Sequence, residues 1–155
     1  MATSYDFKKL RTSIKIYVAV QVFLLILLAY VGFNFQLKFQ AMGKADLFLK
    51  SALISLLIQL LFFFPINKFA QKESEREIAS LAIGLSTEAL ATFRRKRLVG
   101  EFIKVGVFIF FVTFSFRAPQ VPLIQCTIFI TFILTMLSYV QCYNFAAKRQ
   151  MKEKS

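Results

Sequence analysis

The sequence predicts an all-α polytopic membrane protein built as a four-helix transmembrane bundle. The chain of 155 residues is 57% hydrophobic and contains 20 phenylalanines, whereas soluble domains are about 45–50% apolar even when glycine is counted. The apolar residues also form blocks near the 17–25 residues that a helix needs to cross a bilayer. None of these blocks alternates apolar and polar residues, as a spanning barrel strand would over about ten residues.

Four apolar blocks define the predicted spans within a single domain, 1–155. They cover residues 16–33, 47–66, 98–116 and 121–145. The first block follows basic residues, as a signal peptide does, but its apolar run is longer than the 7–15 residues typical of one. We therefore expect it to be a retained span. Pro65 is expected to end the second span, and a basic tail, 146–155, follows the fourth.

The basic residues predict the orientation of the chain. Lys and Arg in short loops favour the cytoplasmic side, and 15 of the 20 basic residues lie in residues 1–15, 67–97 and 146–155. Both termini and the middle loop are therefore expected on the cytoplasmic side of a bacterial inner membrane. The net charge of +12 is assigned to this topology and to anionic membrane lipids. Direct nucleic-acid binding is not expected.

The loop 72–97, KESEREIASLAIGLSTEALATFRRKR, has the pattern of an amphipathic helix. Its apolar residues repeat at spacings of three and four, with acidic residues near the start and basic residues at the end, as a helix dipole favours. Two arrangements fit. One is a single helix on the membrane surface. The other, which we favour, is a helical hairpin that breaks at Gly84 and has Ser86 or Thr87 as the cap of its second arm. The arms of that hairpin are expected to pack through Ile78, Leu81, Leu90 and Phe93.

In either arrangement the loop is a candidate docking surface for a cytoplasmic protein partner. The predicted docking residues are its charged clusters, Glu73, Glu75, Glu77, Arg94, Arg95, Lys96 and Arg97. The last four are called the basic run below. The alternative interpretation is a solvated connector that has no partner.

The residue inventory argues against catalysis. The chain contains no histidine, which excludes bis-histidine haem, most zinc and copper sites, and histidine-based acid–base chemistry. No GxxxxGK[ST], GxGxxG or GxSxG pattern occurs. Cys126 and Cys142 are roughly 24 Å apart along one helix, beyond the reach of a disulfide. We expect a protein that is not an enzyme and has no cofactor or metal.

Glu101 and Lys104 are a candidate intramembrane ion pair. Ionisable residues inside a membrane are functional candidates by default, and a spacing of three places both on one face of the third span. An intrahelical pair is the simplest interpretation. A contact between subunits or a cytoplasmic vestibule would also account for the two charges.

A stripe of hydroxyl groups runs along the fourth span, in the segment CTIFITFILTMLS. Residues that advance by roughly 100° each place four hydroxyls on one narrow face: Thr127, Thr131, Thr135 and Ser138. Such residues let membrane helices approach closely and hydrogen-bond, and Ser51 and Ser55 repeat the pattern on the second span. The stripe therefore predicts helix association. The alternative is the lumen of a channel.

In layout, the chain resembles membrane subunits of bacterial multi-protein systems, such as the tetraspan subunit of the Kiwa phage-defence system. The four spans, the KESEREIASLAIGLSTEALATFRRKR loop and the basic tail carry this resemblance. It implies a subunit encoded with a cytoplasmic effector. We therefore expect an inner-membrane anchor or sensor that forms a homo-oligomer and docks a cytoplasmic protein. A small oligomeric channel or pore-forming protein is the alternative.

Overall fold

The computed structural model describes Tyr5 and residues 7–154 and contains four long α-helices. These are α1 (Lys8–Ala41), α2 (Asp46–Ala79), α3 (Thr87–Arg117) and α4 (Pro122–Lys154). Each is long and apolar enough to cross a membrane, which confirms the all-helical class and the four candidate spans and indicates a multi-pass membrane protein. Residues 1–4, Asp6 and Ser155, which the single-domain prediction includes, lie outside the described residues.

The helices are longer than the apolar blocks that predicted them. A helix of 34 residues, such as α2, is roughly 51 Å long, whereas the hydrocarbon core of a bilayer is roughly 30 Å thick. α2 continues through Pro65, as the predicted hairpin with its break at Gly84 requires, so the proline does not end the helix, and the end of the span at Pro65 stays a prediction. The turns that follow Pro65 pack on neighbouring helices through Ala70 and Ile78, which compensates for the backbone hydrogen bond that a proline removes.

The connection between α2 and α3 matches the predicted hairpin rather than a surface helix. Its Gly84 has a φ of 91°, a conformation that residues with a side chain rarely adopt. Ser86 then caps α3, with its hydroxyl oxygen accepting a hydrogen bond from the Ala89 N–H at 3.2 Å. The start of α3 therefore lies where its residue type predicts it, whereas α2 already ends at Ala79, and Gly84 turns the chain within the connection.

The packing of the two hairpin arms differs from the prediction. Ile78 is fully buried and Leu81 partly buried, but both pack against α1 and α4, in a cluster with Leu10 and Tyr143. Leu90, on the other arm, remains exposed. The apolar face of the first arm is therefore used by the bundle, not by the second arm.

The start of the described chain meets the α2–α3 connection, and the end of α4 lies beside it. Tyr5 forms an isolated antiparallel β-bridge with Ala82. The ammonium of Lys154 lies 5.0 Å from the centre of the Tyr5 ring, a distance at which cation–π attraction operates. The N-terminal segment, the C-terminus of α4 and the connection therefore lie at one end of the bundle, called the connection end below.

α4 is the central helix of the bundle. It packs along both α1 and α2, and 39% of its most apolar stretch is buried, against 6% for α3. Buried apolar clusters join it to α1 at several levels, for example through Leu24 with Ile133 and Leu137. In α3, by contrast, Gly100 is the only residue that the structure shows as buried. The fold is a packed unit of α1, α2 and α4 with α3 at its side.

Candidate functional site

The hydroxyl stripe of α4 lies against α2. The hydroxyl oxygens of Ser51 and Thr127 are 2.9 Å apart, and Ser55 donates to the carbonyl oxygens of Ser51 and Thr127 at 2.9 and 3.2 Å. Ser51 and Ser55 are fully buried. The small residues predicted on the two spans therefore face one another, and they let the helices approach closely enough for hydroxyl–backbone contact.

Gln59, two turns after Ser51 on α2, continues this contact. Its amide nitrogen donates to the Ser138 hydroxyl at 2.7 Å, and its amide oxygen accepts a hydrogen bond from the Thr135 hydroxyl at 3.2 Å. The buried hydroxyl of Thr131 has no hydrogen-bond partner among the residues that the structure describes. Three of the four stripe residues thus contact α2 by hydrogen bonds. The stripe faces a neighbouring helix of the same chain, which supports the helix-association interpretation over a lumen.

A second polar group lies nearer the connection end, where α2 leaves its apolar block. It consists of Ser13, Tyr17, Glu73, Glu77, Lys104, Tyr139 and Tyr143 and is called the carboxylate–tyrosine cluster. Every helix contributes at least one of these side chains, because Ser13 and Tyr17 belong to α1 and Lys104 to α3. We take this cluster as the candidate functional site.

Glu73 is the member of the cluster that contacts α3. Its carboxylate lies 2.8 Å from the Lys104 ammonium and accepts a hydrogen bond from the Tyr139 hydroxyl at 2.5 Å. Its side chain is only 14% exposed. The carboxylate also lies against Gly100 of α3, where an added Cβ would be 3.3 Å from Glu73 Oε1. A small residue at position 100 is therefore what lets α3 approach this carboxylate.

Glu77, one turn later, makes the equivalent contact with α1 and α4. Its carboxylate accepts hydrogen bonds from the Tyr143 hydroxyl and, at 3.5 Å, from the Ser13 hydroxyl. Tyr17 packs edge-on against the tyrosine rings, with ring centres 4.7 Å apart for Tyr143 and 6.3 Å apart for Tyr139. The aromatic rings shield the carboxylates from solvent, while the phenol hydroxyls satisfy them.

Lys104 forms the predicted pair with Glu101 and also a second pair that the sequence did not predict. Its ammonium is 2.8 Å from Glu101 and 2.8 Å from Glu73. The Glu101 side chain is 51% exposed, so this intrahelical pair resembles the exposed pair of Asp46 and Lys50. Exposed pairs contribute little to stability. The largely buried contact with Glu73 is the one that joins two helices.

The predicted docking residues divide into two groups. Glu75 and the whole basic run are exposed, as docking requires. Glu73 and Glu77 form the second group, because their carboxylates are held inside the bundle by tyrosine and lysine side chains. A carboxylate that is satisfied internally is not available to a partner.

The sequence reasoning also missed the partners of the two carboxylates, Tyr139 and Tyr143. A signal was present, since Glu73 and Glu77 are four residues apart, as are Tyr139 and Tyr143, and each pair therefore lies on one face of its helix.

Within the described residues, no three His, Cys, Asp or Glu side chains come together as a metal site requires. The cluster offers an ionic and hydrogen-bonded junction between helices. No protein-family model, curated protein or solved structure matches this chain.

Proposed function

We propose that the protein is a non-enzymatic subunit of a bacterial inner membrane, acting as an anchor or sensor that docks an acidic cytoplasmic protein through its basic run. The observation that carries this proposal is the exposure of Arg94, Arg95, Lys96 and Arg97. Within the described residues, none of the four takes part in an ion pair. Adjacent exposed cations favour an anionic surface by charge complementarity.

The inward position of two of the loop's acidic residues strengthens this proposal, while Glu75 and Glu88 stay exposed. Glu73 and Glu77 are neighbours of the basic run in the loop, but their charges are used inside the carboxylate–tyrosine cluster. Arg76, on the same turn of α2, is exposed. The docking surface is therefore more basic than the sequence alone predicts, which is why we specify an acidic partner.

The orientation belongs to the same proposal. The connection end carries the basic segments of the sequence, and basic segments remain in the cytoplasm. We accordingly place the connection end, with both termini, in the cytoplasm, where anionic lipid head groups are further partners. The outward faces of α1, α2 and α3 carry many exposed apolar side chains, which suit contact with lipid and with further copies of the chain in a homo-oligomer. A place in a phage-defence complex rests on the shared layout alone.

The test is gentle detergent extraction of tagged protein from its native host, followed by native mass spectrometry. One variant replaces the four residues of the basic run by glutamine. The matched control replaces the same number of cations at the opposite end, Lys38, Lys44, Lys50 and Arg117. We expect a stoichiometric soluble protein on the parent chain and on the control, and its loss from the basic-run variant. A bare homo-oligomer in all three samples would contradict docking and lead to measurements of flux across liposomes, the test of a channel.

A further inference from the structure

α3 is attached to the rest of the bundle at two places. One lies in the half of α3 farther from the connection end, called its outer half. There the Phe108 and Phe111 ring centres lie 5.8 and 5.1 Å from the Phe132 ring centre of α4, and the Gln125 amide donates to the Ser115 carbonyl at 3.3 Å. At its inner half, towards the connection end, the attachment is polar. It consists of the ion pair between Lys104 and Glu73, the Lys104 ammonium lying 5.7 Å from the centre of the Tyr139 ring of α4, and the close approach at Gly100 described above.

The inner attachment can separate without leaving either charged group devoid of a polar contact. Breaking a buried ion pair is normally costly because one charge loses its compensation. Here the Lys104 ammonium keeps Glu101 at 2.8 Å, on its own helix. The Glu73 carboxylate keeps the Tyr139 hydroxyl at 2.5 Å. Each partner therefore has a second contact that stays with it when the two helices move apart, which lowers the cost of separation.

The basic run lies on the same rigid element as this contact. It precedes Lys104 by seven to ten residues of uninterrupted helix, a distance of roughly 10–15 Å. A movement of α3 at Lys104 therefore displaces the basic run relative to α2 and α4. The connection of residues 80–86 is not helical, so α2 does not hold the start of α3 in one direction.

We propose that the Lys104–Glu73 ion pair is a releasable latch that sets the position of the basic run. With the pair formed, the start of α3 lies beside α2 and α4. With the pair broken, that end of α3 moves away while the aromatic contacts with Phe132 hold its outer half. The consequence for a partner rests on the proposed docking function, whereas the movement itself does not.

The movement is measured by the distance between two spin labels in lipid nanodiscs. One label is placed at Thr92 of α3 and the other at Lys148 of α4, both exposed positions, in a chain whose Cys126 and Cys142 are replaced by alanine. A second labelled pair, at Arg11 of α1 and Lys148, reports on the packed unit of α1, α2 and α4. Pulsed electron–electron resonance gives the distance distribution of each pair.

Glu73→Gln and Lys104→Met break the latch, and Glu101→Gln is the matched control. The control removes a carboxylate from the same ammonium but leaves the contact between helices intact. We expect the Thr92–Lys148 distance to become longer and broader in both latch variants and to stay unchanged in the control. The Arg11–Lys148 distance should stay unchanged in all of them.

An unchanged Thr92–Lys148 distance in both latch variants would overturn the proposal. An equal change in the Arg11–Lys148 distance would also overturn it, because the ion pair would then support the whole bundle rather than the position of α3. The docking function is scored separately by native mass spectrometry of the basic-run variant. A released α3 in a chain that binds no partner would leave the latch standing and remove only the docking function.

Discussion

Gln59→Leu tests whether the polar contacts between α2 and α4 stabilise the bundle. The substitution keeps a side chain of similar size, so it opens no large cavity, and it removes two hydrogen bonds, at 2.7 and 3.2 Å, to Ser138 and Thr135. Hydrogen bonds between membrane helices contribute on average about 0.6 kcal/mol each. The released hydroxyls can turn to carbonyl oxygens of their own helix, so no further penalty is added. We expect the free energy of unfolding to fall by about 1.2 kcal/mol.

The assay is reversible unfolding of the purified protein by sodium dodecyl sulfate in mixed micelles, followed by circular dichroism. A loss of about 1.2 kcal/mol lowers the ratio of folded to unfolded protein roughly eightfold. The matched control is Gln21→Leu on α1, which makes the same change at a half-buried glutamine whose side chain forms no hydrogen bond with the described residues. Equal effects of the two substitutions would refute the reasoning, because the loss would then reflect amide removal in general rather than the α2–α4 contact.

Three further predictions use the same titration. Thr131→Val should leave the free energy of unfolding unchanged or raise it by up to about 1 kcal/mol, because the buried hydroxyl is unpaired among the described residues. Thr135→Val should lower it by about 0.6 kcal/mol, and the reverse order would contradict the hydrogen-bond assignment. Gly100→Val should lower the free energy of unfolding by about 1–3 kcal/mol, because the larger side chain overpacks the contact with Glu73. Gly106→Val should lower it far less, because an added Cβ there meets open space. Ser86→Ala should cost about 1 kcal/mol through loss of the α3 cap, and no loss would show that the cap is unimportant.

The spans and the hairpin break were accessible from the sequence because their causes are local. Apolar blocks of bilayer length identify membrane helices irrespective of how the helices pack. A glycine followed by a capping serine likewise marks a stop and a start through backbone conformation and one nearby hydrogen bond. Ser86 therefore caps α3 as predicted, whereas α2 ends at Ala79, a few residues before the glycine. Pro65 lies inside α2 because contacts made by later turns of the helix outweigh the local effect of a proline.

The direction in which Glu73 and Glu77 face was not accessible in the same way. Charged residues on a predicted amphipathic helix are ordinarily assigned to solvent, and only contacts with residues 66 positions away reverse that assignment here. α2 and α4 run parallel, so two carboxylates spaced by four can meet two tyrosines spaced by four. The matching intervals were visible, but the choice of helix neighbours that makes them meet is a tertiary property.

The inward-facing carboxylates determine both the charge and the possible movement of the connection end. Glu73 and Glu77 are used to join helices, so of the four acidic residues between positions 72 and 97 only Glu75 and Glu88 remain exposed beside the basic run. The same carboxylates hold the four helices unequally. Glu77 joins α1, α2 and α4, which also share buried apolar clusters, whereas Glu73 joins α3 largely through one ammonium. Of the four helices, the one that carries the basic run is therefore the one that can move at least cost.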